Sequence, residues 1–274
     1  MPQDASKKRK PIPTATLVRF GGIAFAMCSV LAGAIYASQR FEQFLIRDPR
    51  FFLAGPAEYG LESANIQLKG VQYASSTKIL RSFDADFGRS VYLIPLAARR
   101  QALLNLGWVR DATVVRVWPD HLIVSIQERK PVAFIKLPAE GMTRWGLIDD
   151  AGVILDPPQK APFHLPVLSG VLAGETASQR AWRVKRMQQL LRDLGKRADT
   201  VSEVDASDLD DLKISRSVQG RAVTLLMGDR NFASRLENFL EHYPDIHRKM
   251  PQAATFDLRL DDRITGLEDG GNGR

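Results

Sequence analysis

Four histidines, one cysteine and 31 acidic residues are the groups that could carry chemistry in this 274-residue chain. His242 and His247 stand five apart, without the Glu that a zinc-binding helix places between its two histidines. His121 falls in a turn sequence and His164 beside prolines, positions that point to structural or solvent-exposed roles. Asp205, Asp208, Asp210 and Asp211 crowd together as calcium ligands do. The segment lacks the central glycine and terminal glutamate of an EF-hand, so a solvated acidic loop is expected there. No serine sits in a nucleophile-elbow context, and no glycine-rich loop resembles a phosphate cradle. These residues predict no catalytic centre, no cofactor and no metal site. The chain reads as a binding device.

The elements around those residues begin with an uncharged run from Phe20 to Gln39, bracketed by Arg19 and Arg40. Twenty residues at about 1.5 Å per residue span roughly 30 Å, the thickness of a bilayer's hydrocarbon core. Ahead of it, Lys7, Lys8, Arg9, Lys10 and Arg19 stand against Asp4 alone, a net +4. Residues 20–274 therefore carry only +3 of the chain's +7. The basic balance sits in a segment that the positive-inside bias keeps cytoplasmic, which exports the remainder. Nucleic acid is not the expected partner. Lys7 to Lys10 also fit a nuclear-type motif, and Ala32-Gly33-Ala34 fits a signal-peptide cleavage site. Against cleavage, apolar character continues through Ile35, Tyr36 and Ala37. The only cysteine, Cys28, lies inside the run, so the exported part forms no intramolecular disulfide and must rely on its core.

The expected division is a basic tail over 1–19, a span over 20–39, a connector over 40–64, one domain over 65–131, a second over 132–267, and a disordered end over 268–274. In the first domain, Ile66, Leu68 and Val71 predict a strand broken at Gly70. Ser75-Ser76 can cap a helix through Phe83, and Pro95 opens another that Gly107 ends. Asp111–Val117 and Leu122–Glu128 predict strands around a Trp118-Pro119-Asp120 turn, with Asp120 free to accept from nearby backbone amides. Alternation groups Ala112, Val114 and Arg116 on one face of the first of these strands. The preference of Arg116 for solvent predicts that Val114 and Arg116 face outward, available to a partner.

In the second domain, strands are expected at 132–135, 145–148, 153–155, around Ile214 and at 223–227, with Thr255–Leu260 as the last. Asp149-Asp150-Ala151-Gly152 predicts a hairpin turn. Helices are expected along Val184–Leu194 and Phe232–Tyr243. The fold class is α+β: one N-terminal transmembrane helix, a small β-α-α-β-β domain, then a mainly antiparallel β domain with two helices.

The segments Ile66–Gly70, Asn105–Val109, Val115–Asp120 and Glu128–Ala133 together resemble a POTRA domain. With the single span, and with Leu147–Gly152, Leu165–Gly170 and Phe256–Leu260 following in order, the chain resembles the FtsQ/DivIB family of bacterial cell-division proteins. The resemblance implies an uncleaved anchor in the inner membrane and a non-enzymatic divisome scaffold at the septum. It implies partners of the FtsB and FtsL type in the periplasm, and FtsK among the proteins it links. It also implies β-augmentation, in which an exposed edge strand pairs with a partner's extended segment. Here that edge is expected along Thr255–Leu260 and just beyond, with Arg259, Leu260, Asp262, Ile264 and Leu267 as contact residues. Aromatic residues common in the family at this place are replaced by Leu260, Ile264 and Leu267. A POTRA-type module for envelope secretion and a membrane-anchored envelope hydrolase are the alternatives of other classes.

Overall fold

In a computed structural model of the chain, the described residues are 14–55, 65–139, 142–158, 163–172, 174–260 and 263–267. The tail residues Lys7 to Lys10 and the expected disordered end over 268–274 lie outside them. Helix α1 (Thr14–Arg47) carries the apolar run and continues past Gln39 through residues expected to be irregular. Within it, Gly22–Arg47 is long and apolar enough to cross a membrane. Ile23, Phe25, Met27, Val30 and Leu31 are all exposed to their surroundings. A helix apolar all round needs an apolar medium.

The chain divides into two compact units. The first takes the described residues up to Lys69 with Ser76–Gln101 and Thr113–Ser125, and the second takes Gly70–Ser75, Ala102–Ala112 and the described residues from Ile126 on. Strand β1 (Ile66–Lys69), helices α2 (Ser76–Arg81) and α3 (Leu96–Leu104), and strands β2 (Val109–Val117) and β3 (His121–Glu128) give the β-α-α-β-β order. Their sheet runs β1-β3-β2, with β1 parallel to β3. In the first unit Ile79, Phe83, Val91, Ile94, Leu122 and Val124 are fully buried or nearly so, each contributing about 1.5–3 kcal/mol on leaving water. The carboxylate of Asp86 is buried there and receives both Nε and Nη2 of Arg99, at 2.5 and 2.9 Å. That hydrogen bonding holds the Arg99 guanidinium above its usual pKa.

Two readings of this region need correction. The face of β2 bearing Ala112 and Val114 is the buried one, while Thr113, Val115 and Val117 are exposed. Arg116 shares the inward face because its guanidinium is needed there: Nε donates to the Val91 carbonyl at 2.6 Å, and Nη2 donates to that of Ile94. Asp120 binds a side chain rather than local amides, accepting from Asn65 Nδ2 at 2.6 Å. The hairpin tip is thereby tied to the start of β1.

The second unit holds a nine-stranded sheet of order β12-β11-β10-β9-β8-β7-β4-β5-β6. These strands are β4 (Pro131–Ala139), β5 (Met142–Asp149), β6 (Ile154–Leu155), β7 (Val167–Ser169), β8 (Val201–Asp205), β9 (Leu212–Val218), β10 (Arg221–Gly228), β11 (Thr255–Asp257) and β12 (Thr265–Leu267). The β4–β7, β7–β8 and β10–β11 pairings are parallel and the other five antiparallel. Helices α4 (Ala177–Leu194) and α5 (Phe232–Lys249) share one core with the sheet, joining Met187, Leu190, Phe239 and Tyr243 to Ile135, Leu168, Val204 and Leu225. Helix α4 starts earlier than expected because Thr176 and Gln179 form a reciprocal capping box. Helix α5 continues past Pro244, since Tyr243 and Ile246 keep both sides of that residue in the core.

Two carboxylates, half-buried Glu128 and buried Asp149, organise the junction segments of this unit. Glu128 Oε1 accepts from the backbone amides of Gln72, Tyr73 and Ala74 at 2.8, 2.9 and 2.7 Å. The neighbouring Arg129 donates Nη1 to fully buried Asp149 at 2.8 Å, and Asp149 also caps the amides of Ala151 and Val153 in the hairpin turn. Asp205 closes a strand rather than sitting in a loop: β8 lies in the middle of the sheet, and its few apolar residues hid it in the sequence.

Candidate partner-binding edge

The end of the nine-stranded sheet is assembled from three short pieces. Strand β10 ends in a bulge between Leu226 and Gly228. Gly228 adopts φ +69°, and a Cβ there would lie 2.9 Å from Arg235 Nη1. Glycine therefore serves both the left-handed backbone and the approach of the arginine. Strand β11 runs parallel to β10 and buries Phe256 against Phe239 at 5.1 Å between ring centroids. The Leu258 amide donates to the Leu226 carbonyl at 3.0 Å, which ends the pairing.

The chain then reverses and returns as β12, antiparallel to β11 in the register Thr255↔Leu267, Phe256↔Gly266 and Asp257↔Thr265. A Cβ on Gly266 would meet Met250 Sδ at 2.8 Å, so glycine lets β12 settle close over that side chain. Thr265 and Leu267 face outward. Among the described residues β12 is the last strand, and its far side pairs with nothing.

Arginines hold the reversal. The Asp257 carboxylate accepts the Arg259 amide at 3.0 Å, and also its Nε at 2.9 Å and Nη2 at 2.6 Å. Arg259 Nη1 reaches Asp211 at 2.9 Å. These bonds from Arg259 hold Asp257 below its ordinary pKa of 3.8, against the opposing effect of burial. The same bonds raise the pKa of Arg259. Behind the loop, Arg235 is buried in α5 and donates Nη1 to Met227 O and Nη2 to Arg259 O, each at 2.7 Å. Beside it lies an open depression of about 470 Å³ lined by Asn231, Ser234, Arg235, Asn238, Leu258, Leu260 and Ile264. An unpaired strand next to a hollow with apolar and amide walls can take backbone hydrogen bonds and a side chain from the same peptide.

The model of the FtsQ-type POTRA domain matches residues 61–129. The cell division protein FtsQ of Koribacter versatilis is 30% identical over 267 residues, covering 94% of this chain and 73% of that protein. The chain belongs to the FtsQ family of cell division proteins. A second FtsQ, from Novosphingobium aromaticivorans, is 31% identical over 211 residues; the match covers 76% of this chain and 62% of the relative. Among solved structures, the major extracytoplasmic domain of DivIB from Geobacillus stearothermophilus is similar at 18% identity and a TM-score of 0.24, over 46% of this chain and 96% of that one. FtsQ membership and the exposed apolar helix α1 together support a membrane-anchored division protein.

Set on this FtsQ-family chain, the predicted contact residues separate. Leu260 and Ile264 come together on the depression, Leu260 half exposed. Leu267 is exposed at the end of β12, and Arg259 braces the loop from behind. Asp262 lies outside the described residues. Val114 and Arg116 belong to the first unit, where Val114 is buried and Arg116 half-buried. The expected edge also needs correction. Strand β11 ends at Asp257 and sits between β10 and β12, so it is internal. The grip of Asp257 on the Arg259 amide turns the chain before Leu260 can extend the strand. The edge is β12. Asn231, which precedes α5, and the α5 residues Ser234, Arg235 and Asn238 were missed, although Arg235 flanks the Phe232, Leu236, Phe239 stripe and so had to point toward the sheet.

Proposed function

We propose that this chain is a non-enzymatic scaffold of the divisome that captures an extended segment of FtsB- or FtsL-type partners on β12 and links early to late division proteins, FtsK among them. The observation that carries the reading is the unpaired β12 edge beside a depression walled by Leu258, Leu260 and Ile264. In this reading backbone pairing supplies affinity and the depression supplies specificity. Aliphatic walls take the place of the aromatic residues common in the family. The basic tail holds the N-terminus in the cytoplasm, the span lies over 20–39, and the POTRA domain over 65–131 and the β domain over 132–267 are periplasmic, concentrated at the septum.

A fluorescent fusion reads the cellular half of this proposal: midcell enrichment is expected, and a uniform periphery would favour a secretion module or hydrolase. Copurification reads the molecular half. The full-length protein in detergent should retain an FtsB–FtsL pair, and Leu260→Glu should reduce that recovery while its melting curve stays unchanged, because Leu260 is half exposed. Full recovery with Leu260→Glu would remove the depression from the mechanism.

A further inference from the structure

We propose that the first unit docks on the phospholipid surface through an aromatic face that continues the membrane helix. This rests on reading α1 as a membrane anchor. The helix reaches the unit with no spacer: Ser90 Oγ donates to the Leu45 carbonyl at 2.6 Å, and Leu45 is buried. From Gln39, the last residue of the uncharged run, to Phe44 is five residues, or about 7–8 Å of helix. That is roughly the depth of one headgroup layer, about 5–8 Å, left when a hydrocarbon core near 30 Å is taken from a bilayer of 40–45 Å. The residues clasping the helix end therefore sit at the membrane's polar boundary.

What is found there is aromatic and uncovered. Phe44 packs edge-on against Phe51 at 5.4 Å, and Phe51 packs edge-on against Trp118 at 5.7 Å. This links the helix end to the tip of the β2–β3 hairpin. Trp118 is 51% exposed, Phe41 63%, and Tyr92 and Leu93 over a third. Tryptophan and tyrosine concentrate where a protein meets headgroups, because an amphipathic ring suits a boundary that is half apolar. Arg47 is exposed in the same stretch, and the Arg50 guanidinium lies 5.6 Å from the centre of the Phe44 ring. Arg50 already gives Nε and Nη2 to Asp48, at 3.1 and 2.8 Å, so Arg47 is the arginine suited to lipid phosphates. A water-facing patch of this composition on a tethered unit would be costly, and the bilayer is the apolar medium already adjoining it.

The test uses full-length protein in nanodiscs of phosphatidylcholine brominated on the acyl chains, with a parallel set containing brominated phosphatidylglycerol. Bromine quenches only tryptophans that reach the bilayer. The quenched part of the emission should fall at least about twofold on Trp118→Phe, as expected for a ring at the interface. Quenching in both sets assigns the contact to ring insertion, and quenching only with phosphatidylglycerol, anionic where phosphatidylcholine is zwitterionic, assigns it to attraction between arginine and net negative headgroups; either supports docking. A second readout leaves Trp118 in place: Leu93→Cys in a Cys28→Ser background, carrying an environment-sensitive dye, should brighten when the protein enters nanodiscs. Equal quenching with and without Trp118, together with a silent dye, in protein that resists alkaline extraction from membranes would overturn docking and leave the anchor standing. Release by alkaline extraction would instead remove the anchor, and the inference with it.

Discussion

Arg235 Nη2 donates to the Arg259 carbonyl at 2.7 Å, so a buried helix side chain fixes the loop that leads into the edge strand. The other arm of the same guanidinium takes the Met227 carbonyl at the β10 bulge. Replacing Arg235 with Met keeps most of the packing and removes both bonds. Bonds from a charged donor contribute about 1.5–3 kcal/mol each, and the freed carbonyls can partly rehydrate, so a loss of about 2–4 kcal/mol is expected. Urea unfolding of the full-length protein should show that loss, and partner recovery should fall further than the lowered stability explains. Unaltered stability would mean that the loop holds itself.

The Asp257–Arg259 pair gives the edge an acid limit. Bonds from Arg259 depress the Asp257 pKa in the folded state below its ordinary 3.8. A depressed carboxylate contributes stability above its unfolded pKa and loses it as pH falls through the folded value. The contribution should therefore be complete above about pH 5 and decline below about pH 4. Asp257→Asn should flatten the part of the melting-temperature profile between pH 5 and pH 3. A profile identical to wild type would show that the pair contributes nothing measurable.

Arg216 is a different kind of arginine. It lies on the core-facing side of β9 with Leu212, Ile214 and Val218, and its buried Nε and Nη1 have no hydrogen-bond partner. Burial first, and then the nearby charge of Arg197, lower its pKa. A buried ion carries an effective desolvation penalty of several kcal/mol, which here no hydrogen-bond partner of Nε or Nη1 offsets. Arg216→Met should therefore raise the melting temperature. A clear fall would mean that the guanidinium has a partner in solution.

The exposed side of β2 carries Thr113, Val115 and Val117. Val115→Glu should leave the first unit folded and lower recruitment of a division partner to midcell. Val114→Glu should unfold the unit, because a carboxylate would enter the core. Circular dichroism of both variants, beside septal localisation of the fusion, separates the faces. A folded Val114→Glu protein would reverse the assignment.

What the sequence revealed tracks how local the cause is. The apolar N-terminal helix, the hairpin turn at Asp149–Gly152 and the helix stripes of α4 and α5 depend on neighbouring residues, and all were legible. The direction of Arg116 was not, because its reason is a pair of carbonyls at Val91 and Ile94, more than twenty residues away. Strand β8 was hidden for a related reason: Val201-Ser202-Glu203-Val204-Asp205 has a strand's register only between β7 and β9. The edge was misplaced by one strand because Thr265-Gly266-Leu267 is too short to show alternation, and its partner Thr255–Asp257 looked terminal. Leu260 and Ile264 line one depression, yet the residues facing them from α5 required knowing which helix covers the sheet end.

The edge itself is tested by proline. A strand residue directs its N–H to one side, and its neighbour directs its own to the other. Ile264 and Thr265 therefore have opposite parity at the entry to β12, and one of the two points its donor away from β11. Proline removes that donor and obstructs pairing. Of Ile264→Pro and Thr265→Pro, the variant on the outward parity should lose the FtsB–FtsL pair in copurification while melting like the alanine variant at the same position, a control needed because the Ile264 side chain packs against the core and lines the depression. The inward variant should instead loosen β12 from β11 and lower the melting temperature. A peripheral three-residue strand carries little core packing, so even that loss should stay near 1–2 kcal/mol, about the value of one or two backbone hydrogen bonds. Leu267→Glu adds a side-chain control at the far end, where Leu267 is 40% exposed and opposite Thr255. If both proline variants keep wild-type partner recovery, the partner binds elsewhere and strand addition at β12 is not the mechanism.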